Sequence, residues 1–238
     1  MENMLSRSTL QKNRRLLNEV EERLIGPDRE FWESSLERFL RKEEPVFLAA
    51  DALDSFRKEK RSWQKFYKKI FGQNFDFSTV CIPERPGSTK DWCLIILAEG
   101  MTPQRLFDKC REQFGVWKWT DDNFDKIVHS DRTAKGGHYA VWVRSRVEAD
   151  EEFKNLSAND LKARNHQGVT LEERLVLELY YFWKTKKHLD FQNITLCTGS
   201  RYSDGSVPRV HWRDAELRVY WCPSGRAHAP LRSREAVS

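Results

Sequence analysis

Lysine is absent after Lys187, although the chain up to that point is rich in it. Basic charge in the last stretch is carried instead by seven arginines, from Arg201 to Arg234. Other absences narrow the function classes. No apolar run approaches the roughly 20 residues needed to span a bilayer, and the polar start MENMLSRSTLQKNRR lacks a secretory hydrophobic region. The five cysteines, at 81, 93, 110, 197 and 222, form no CxxC pair and no Cys/His metal spacing. Reduced thiols in a cytoplasmic protein fit this usage best, with Cys81 and Cys93 able to face each other across a hairpin. The six histidines are scattered and form no HExxH. Nor is there a Gly-rich phosphate loop, a nucleophile elbow, an internal repeat or a low-complexity segment. The expectation is a protein that is not an enzyme, with no membrane span, no metal and no cofactor.

What is present is a globular composition, 39% hydrophobic and 32% charged over 238 residues, enough for one large domain or two small ones with a buried core. The net charge of +5 is a small excess over 36 acidic side chains, so it permits nucleic-acid contact without requiring it. Four of nine tryptophans, Trp142, Trp183, Trp212 and Trp221, fall in the second half within segments of regular pattern, which points to an aromatic core there.

Residues 7–42 carry helical spacing, broken at Gly26-Pro27. A second helical stretch runs from about Pro45 to Ile70 and ends in FRKEKRSWQKFYKKIFG. Its Lys and Arg, from Arg57 to Lys69, interleave with Trp63, Phe66 and Tyr67. They could grip a phosphate backbone or an acidic partner; the alternative is an amphipathic helix with its aromatics inward. From Phe75 the period changes. Phe77 to Ile82 and Trp92 to Leu97 read as a strand pair, and Met101 to Phe114 as a helix with Thr102 as N-cap and Pro103 first. Gly136-Gly137 marks a boundary, followed by a strand over His138 to Arg144. Ser157 then caps a short helix containing Leu161. Thr170-Leu171-Glu172-Glu173 is a capping box opening a long helix, whose basic end Lys184, Lys186, Lys187 and His188 suits the dipole. Asn193 to Cys197 is a short strand. The sequence thus divides into a helical region (1–72), a small α/β unit (73–135) and a third domain (136–238).

The terminal stretch, Gly199 to Ser238, organises the rest. After the turn Ser203-Asp204-Gly205 come two runs of alternating character, with Val207, Val210 and Trp212 in one and Leu217, Val219 and Trp221 in the other. Alternation puts these on one face of a sheet and their neighbours on the other. That second face carries Arg209, His211, Arg213, Arg218, Tyr220 and Cys222, and the irregular stretch Ser224 to Pro230 follows. Arg, Tyr and His make concentrated contacts at binding surfaces, whereas a merely solvated strand would hold Lys, Glu and Thr. Trp212-Arg213-Asp214 is similar to the Trp-Asn-Asp of calcium-dependent lectins, but Arg213 puts a cation where an oxygen ligand is needed.

Strand, short helix, long helix and several terminal strands, in that order, resemble the C-type lectin-like fold, an α+β architecture. That resemblance implies pairing between HYAVWVR and LRSREAVS. A fixed scaffold (VPxVxW, LxVxW, P, LRxRxAVS) interrupted by apparently arbitrary residues is further similar to the variable proteins of diversity-generating retroelements. There a reverse transcriptase miscopies template adenines, so AAC-type codons become any codon ending in a pyrimidine; such codons cannot encode Lys, Glu, Gln, Met or Trp. Ser206, Arg209, His211, Arg213, Asp214, Ala215, Arg218, Tyr220, Cys222, Ser224, Arg226, Ala227, His228, Ala229 and Pro230 all satisfy that rule. The excluded types occur here only as Trp212, Glu216, Trp221 and Glu235, assigned to the scaffold.

The resemblance covers roughly Gly136 to Ser238. It departs where many members have a terminal Gly-Phe-Arg strand and this chain has Leu231-Arg232-Ser233-Arg234. It implies a ligand-binding protein whose site is the outward residues just named, with a protein as the expected partner. Two alternatives stand beside it: a nucleic-acid binder acting through residues 57–69, and a copper-dependent oxidase of the formylglycine-generating type, which shares the fold, with Cys197 and Cys222 as ligands.

Overall fold

The computed structural model describes residues 14, 17, 18, 20–41, 56–88 and 90–238. Two compact units divide at Ser55. In the first, residues 20–24 are helical and α1 (Arg29–Leu40) follows the break at Gly26-Pro27, held by an Arg29 to Glu33 pair one turn apart (2.7 Å). No α1 side chain is buried, and Phe39 and Leu40 are exposed. The start of the first expected helix and the part of the second before Phe56 lie outside the described residues.

The second unit, Phe56–Ser238, is α+β. Helix α2 (Arg57–Phe71) buries Trp63, Phe66 and Tyr67, and Gly72 ends it in the left-handed conformation that glycine adopts without strain. Two of those rings also satisfy the backbone of β1 (Trp92–Leu97): Trp63 Nε1 donates to Leu94 O (3.0 Å) and Tyr67 Oη to Ile96 O (2.9 Å). The other side of β1 pairs antiparallel with β4 (Tyr139–Arg144), from Trp92 opposite Arg144 to Leu97 opposite Tyr139. A single antiparallel bridge then joins Trp142 to Val237, with backbone hydrogen bonds of 2.8 and 2.9 Å.

Phe77 to Ile82 is not a strand, and no hairpin forms with β1. Side chains take up its backbone instead. Lys60 Nζ donates to Ser78 O and Val80 O, Trp142 Nε1 donates to Pro83 O, and Asp76 accepts from both Ser78 N and Oγ. Phe77 and Val80 are buried, so the apolar pattern reports anchoring in the core rather than strand pairing. Cys81 is exposed and Cys93 half-buried, both as free thiols.

Helix α3 (Pro103–Gln113) begins as its sequence dictates, Thr102 accepting from Arg105 N with Pro103 first. The next elements weave the middle of the chain into its end. β2 (Val116–Lys118) lies parallel to β8 (Glu216–Cys222), and after the short α4 (Phe124–Ile127), β3 (Val128–Ser130) pairs with β6 (Ser200–Tyr202). Gly115 permits the first approach, since a Cβ there would stand 2.8 Å from Ala215 O. The boundaries drawn at 72/73 and 135/136 fall inside one unit: strands on either side of 135/136 share sheets, and the rings of α2 before 72 share one core with the residues after it.

Ser157, expected as a cap, forms a capping box with Asp160 at α5 (Ala158–Ala163), and the expected capping box forms between Thr170 and Glu173 at α6 (Leu171–Thr185). Helix α6 is buried all round in its first half, which includes Glu172, Glu173, Arg174 and Glu178. Each of these charged groups has a partner. Arg132 pairs with Glu173; Arg174 donates to Glu178 (2.7 Å) and, through Nε, to Asp190 (3.0 Å). His188 does not cap the helix: it bonds Glu178 (2.9 Å) and stacks on Trp212, ring centroids 3.3 Å apart.

The main sheet runs β2-β8-β7-β5-β9, where β5 is Ile194–Leu196, β7 Val207–Arg213 and β9 Leu231–Arg232. Val210, Leu217 and Val219 are fully buried in the principal core. Arg234, beyond β9, is 1% exposed. Its guanidinium donates to Asp190 (2.6 Å), Thr195 Oγ1 (3.0 Å), Arg146 O (3.0 Å) and Val147 O (2.7 Å), tying the end of the chain to three other segments. Burial disfavours an ionised Asp190, but Arg234 and Arg174 outweigh it and hold the carboxyl below the usual range.

Candidate functional site: the open half of the terminal sheet

Register decides which residues share the outer face. In the β7-β8 hairpin Arg209 lies opposite Tyr220, His211 opposite Arg218, Arg213 opposite Glu216 and Val207 opposite Cys222. All eight therefore project to one side, while Val210, Leu217 and Val219 project to the core. The turn at the tip is Asp214-Ala215, with φ of +53° and +60°, the left-handed pair that a tight two-residue hairpin needs.

That outer face is divided. At one end α5 covers it: Val207, Leu196, Cys222 and Leu231 form a second apolar cluster with Ala158 and Leu161. Cys222, expected to point outward, is accordingly 1% exposed, and Val207 belongs to this side rather than to the face of Val210. Trp221, expected inside, is 45% exposed. Trp183 and Trp212 are half-buried against the core, and only Trp142 of the four tryptophans is sealed within it. Ser206 is also buried, its N–H and hydroxyl both donating to Asp204 Oδ1 (2.9 and 2.6 Å) to close the turn before β7.

The other end is open. Tyr220 is its centre: the Arg209 guanidinium carbon lies 5.0 Å from the ring centroid, His211 stacks at 5.9 Å with planes 17° apart, and Trp117 of β2 leans on it at 4.5 Å. Trp117 was not singled out by the sequence. Its place follows from the parallel register that sets it opposite Arg218, and the run Val116-Trp117-Lys118 was too short to signal it. Arg218 pairs with Asp214 (3.0 Å) and Glu216 (3.4 Å), and Arg213 reaches Asp214 at 3.7 Å.

The Arg209 side chain has no hydrogen bond or ion pair to another described residue, and its Nε is buried without an acceptor. The same is true of Arg218 Nε, His211 Nδ1 and His228 Nε2 as single atoms. His211 is 8% exposed, so only its edge reaches the surface. Burial, reinforced by Arg209, Arg213 and Arg218, pushes its pKa down to about 4, which leaves the ring neutral at pH 7. His228 is also lowered, by burial and then by Arg226 and Arg209. Arg226 and Arg209 are thus both within electrostatic reach of His228. Ala227 and Ala229 are exposed in the same 224–230 loop, while Ser224 is half-buried and accepts from Asn159 N.

Elsewhere, the aromatic rings of the Arg57 to Lys69 run are in the core, so none can stack on a base. Cys197 and Cys222 are buried in different clusters, and burial raises both thiols. Among the described residues no group of three or more His, Cys, Asp or Glu is arranged to hold a metal ion, and no helix is long and apolar enough to cross a membrane. Compared with known proteins, the chain matches no family model, no curated protein and no solved structure.

Proposed function

We propose that this chain is a recognition protein of the diversity-generating retroelement type, with a C-type lectin-like terminal region whose outward residues are free to change. The observation that carries this is the separation within one hairpin: Arg209, His211, Arg218 and Tyr220 gather on a single surface, over a layer of fully buried Val210, Leu217 and Val219. The bridge from Trp142 to Val237 supports the lectin-like reading, in which the first and last strands meet. Exposed substitutions usually shift stability by only about ±0.5 kcal/mol, whereas a well-seated Arg or Tyr contributes about 2 kcal/mol or more at an interface. A surface of this kind can exchange ligands at little cost to the fold. The surface joins cations to stacked aromatics and lies apart from the cavity of about 370 Å³ lined by Asp131, Lys162, His166 and Arg201, which favours a protein partner over a small molecule.

Sequencing the DNA that flanks the coding region tests this. A reverse transcriptase gene with a near-copy of the 3′ end, differing at adenines, is the expected result. Flanking DNA with neither overturns the reading.

A further inference from the structure

The open surface states what its occupant must supply. Arg209, Arg213 and Arg218 face it against two carboxylates, Asp214 and Glu216, and both of those are engaged at the hairpin tip with Arg213 and Arg218. Arg209, at the middle, is held over Tyr220 with no anion of its own. A guanidinium fixed on an aromatic face keeps its planar fork available for a carboxylate, and a donor left without an acceptor is costly until one arrives.

We infer that this surface binds an acidic protein segment, one of whose Asp or Glu carboxylates pairs with Arg209 while the apolar part of the segment lies on Trp117 and Tyr220. This rests on the recognition function proposed above and names its partner class. A nucleic-acid strand fits less well. Its phosphates recur at every nucleotide, and a strand crossing this surface would meet Asp214 and Glu216 as well as the arginines. A protein segment can present an isolated carboxylate to Arg209 and neutral residues to the acidic tip.

Selection from a random twelve-residue peptide library on the immobilised full chain tests this, with labelled oligodeoxythymidine as a parallel probe. Selected peptides should contain Asp and Glu at least twice as often as the input. Arg209→Ala should return that ratio to the input value, and Arg209→Lys, which keeps the charge but loses the fork, should lower it. Lys184→Ala, removing one cation remote from the surface, should leave it unchanged. Peptides no more acidic than the input, equal enrichment by Arg209→Ala, or retention of the oligonucleotide without acidic peptides would overturn the inference. The function beneath it is judged separately: if a multiply substituted surface still folds while acidic peptides fail to bind, the partner class is wrong and the tolerant surface stands.

Discussion

Arg234 and Arg209 belong to the same lysine-free stretch and do opposite things. Arg234 is sealed in the protein and donates to Asp190, Thr195 and two backbone carbonyls. Arg209 touches one ring and no anion. The difference is register and cover rather than residue type. Arg234 follows β9, where Asp190 and the 146–147 backbone converge, while Arg209 stands on the half of the sheet that α5 leaves open. An arginine-rich stretch therefore holds two populations, one that ties the fold together and one that stands on the open face of the sheet.

The largest expected effect comes from the buried member. Arg234→Ala removes one of the two guanidinium groups that hold buried Asp190, together with the bonds to Thr195, Arg146 O and Val147 O, and should cost about 3–5 kcal/mol, read as a fall in urea midpoint. A loss no larger than that of an ordinary surface change would erase the distinction. Glu172 sharpens the same contrast, because its buried carboxyl is pushed up to about 7 by desolvation, against hydrogen bonds from Ser130 and its own backbone. Its folded pKa lies above the unfolded value, so the wild type binds more protons when folded and loses stability as pH rises from about 4.5 to 7. Glu172→Gln, which cannot ionise, should match the wild type near pH 4.5 and exceed it by on the order of 2–3 kcal/mol at pH 8, since each tenfold change in proton affinity is worth about 1.4 kcal/mol. A constant difference across that range would show that the carboxyl is not buried as described. The smallest effect lies at the hairpin tip. Ala215 holds a left-handed φ of +60°, and Ala215→Gly should stabilise by about 0.5–1 kcal/mol without altering the outer face.

Local signals in the sequence were legible: the capping box at Thr170 and the caps at Ser157 and Thr102 need only neighbours three residues away. The inward identity of Val210, Leu217 and Val219 was legible too, since alternation is a property of one strand. What failed depended on partners distant in sequence. Phe77 and Val80 are apolar because the core covers them, and the Lys60 side chain, not a strand, bonds the backbone around them. Trp221 and Cys222 were assigned by parity alone, but the sheet ends beside one and α5 covers the other. Trp117 reached the site through a parallel pairing with β8. His188 suits the dipole of α6 by sequence, but two of the rings that hold it, Phe114 and Trp212, lie far from it along the chain, in addition to Phe182 of α6 itself.

Thermal unfolding of one variant, Arg209→Ser with His211→Asn, Arg213→Ser, Arg218→Ser and Arg226→Ser, measures the division between scaffold and surface most directly. At about 0.5 kcal/mol for each of the four arginines, exposed or half-buried, and about 1 kcal/mol for the buried His211, the five together should cost no more than Arg234→Ala alone, and the variant should melt cooperatively at or above it. A five-fold variant that melts below Arg234→Ala, or loses its transition, would mean that these side chains carry the fold and are not free to change.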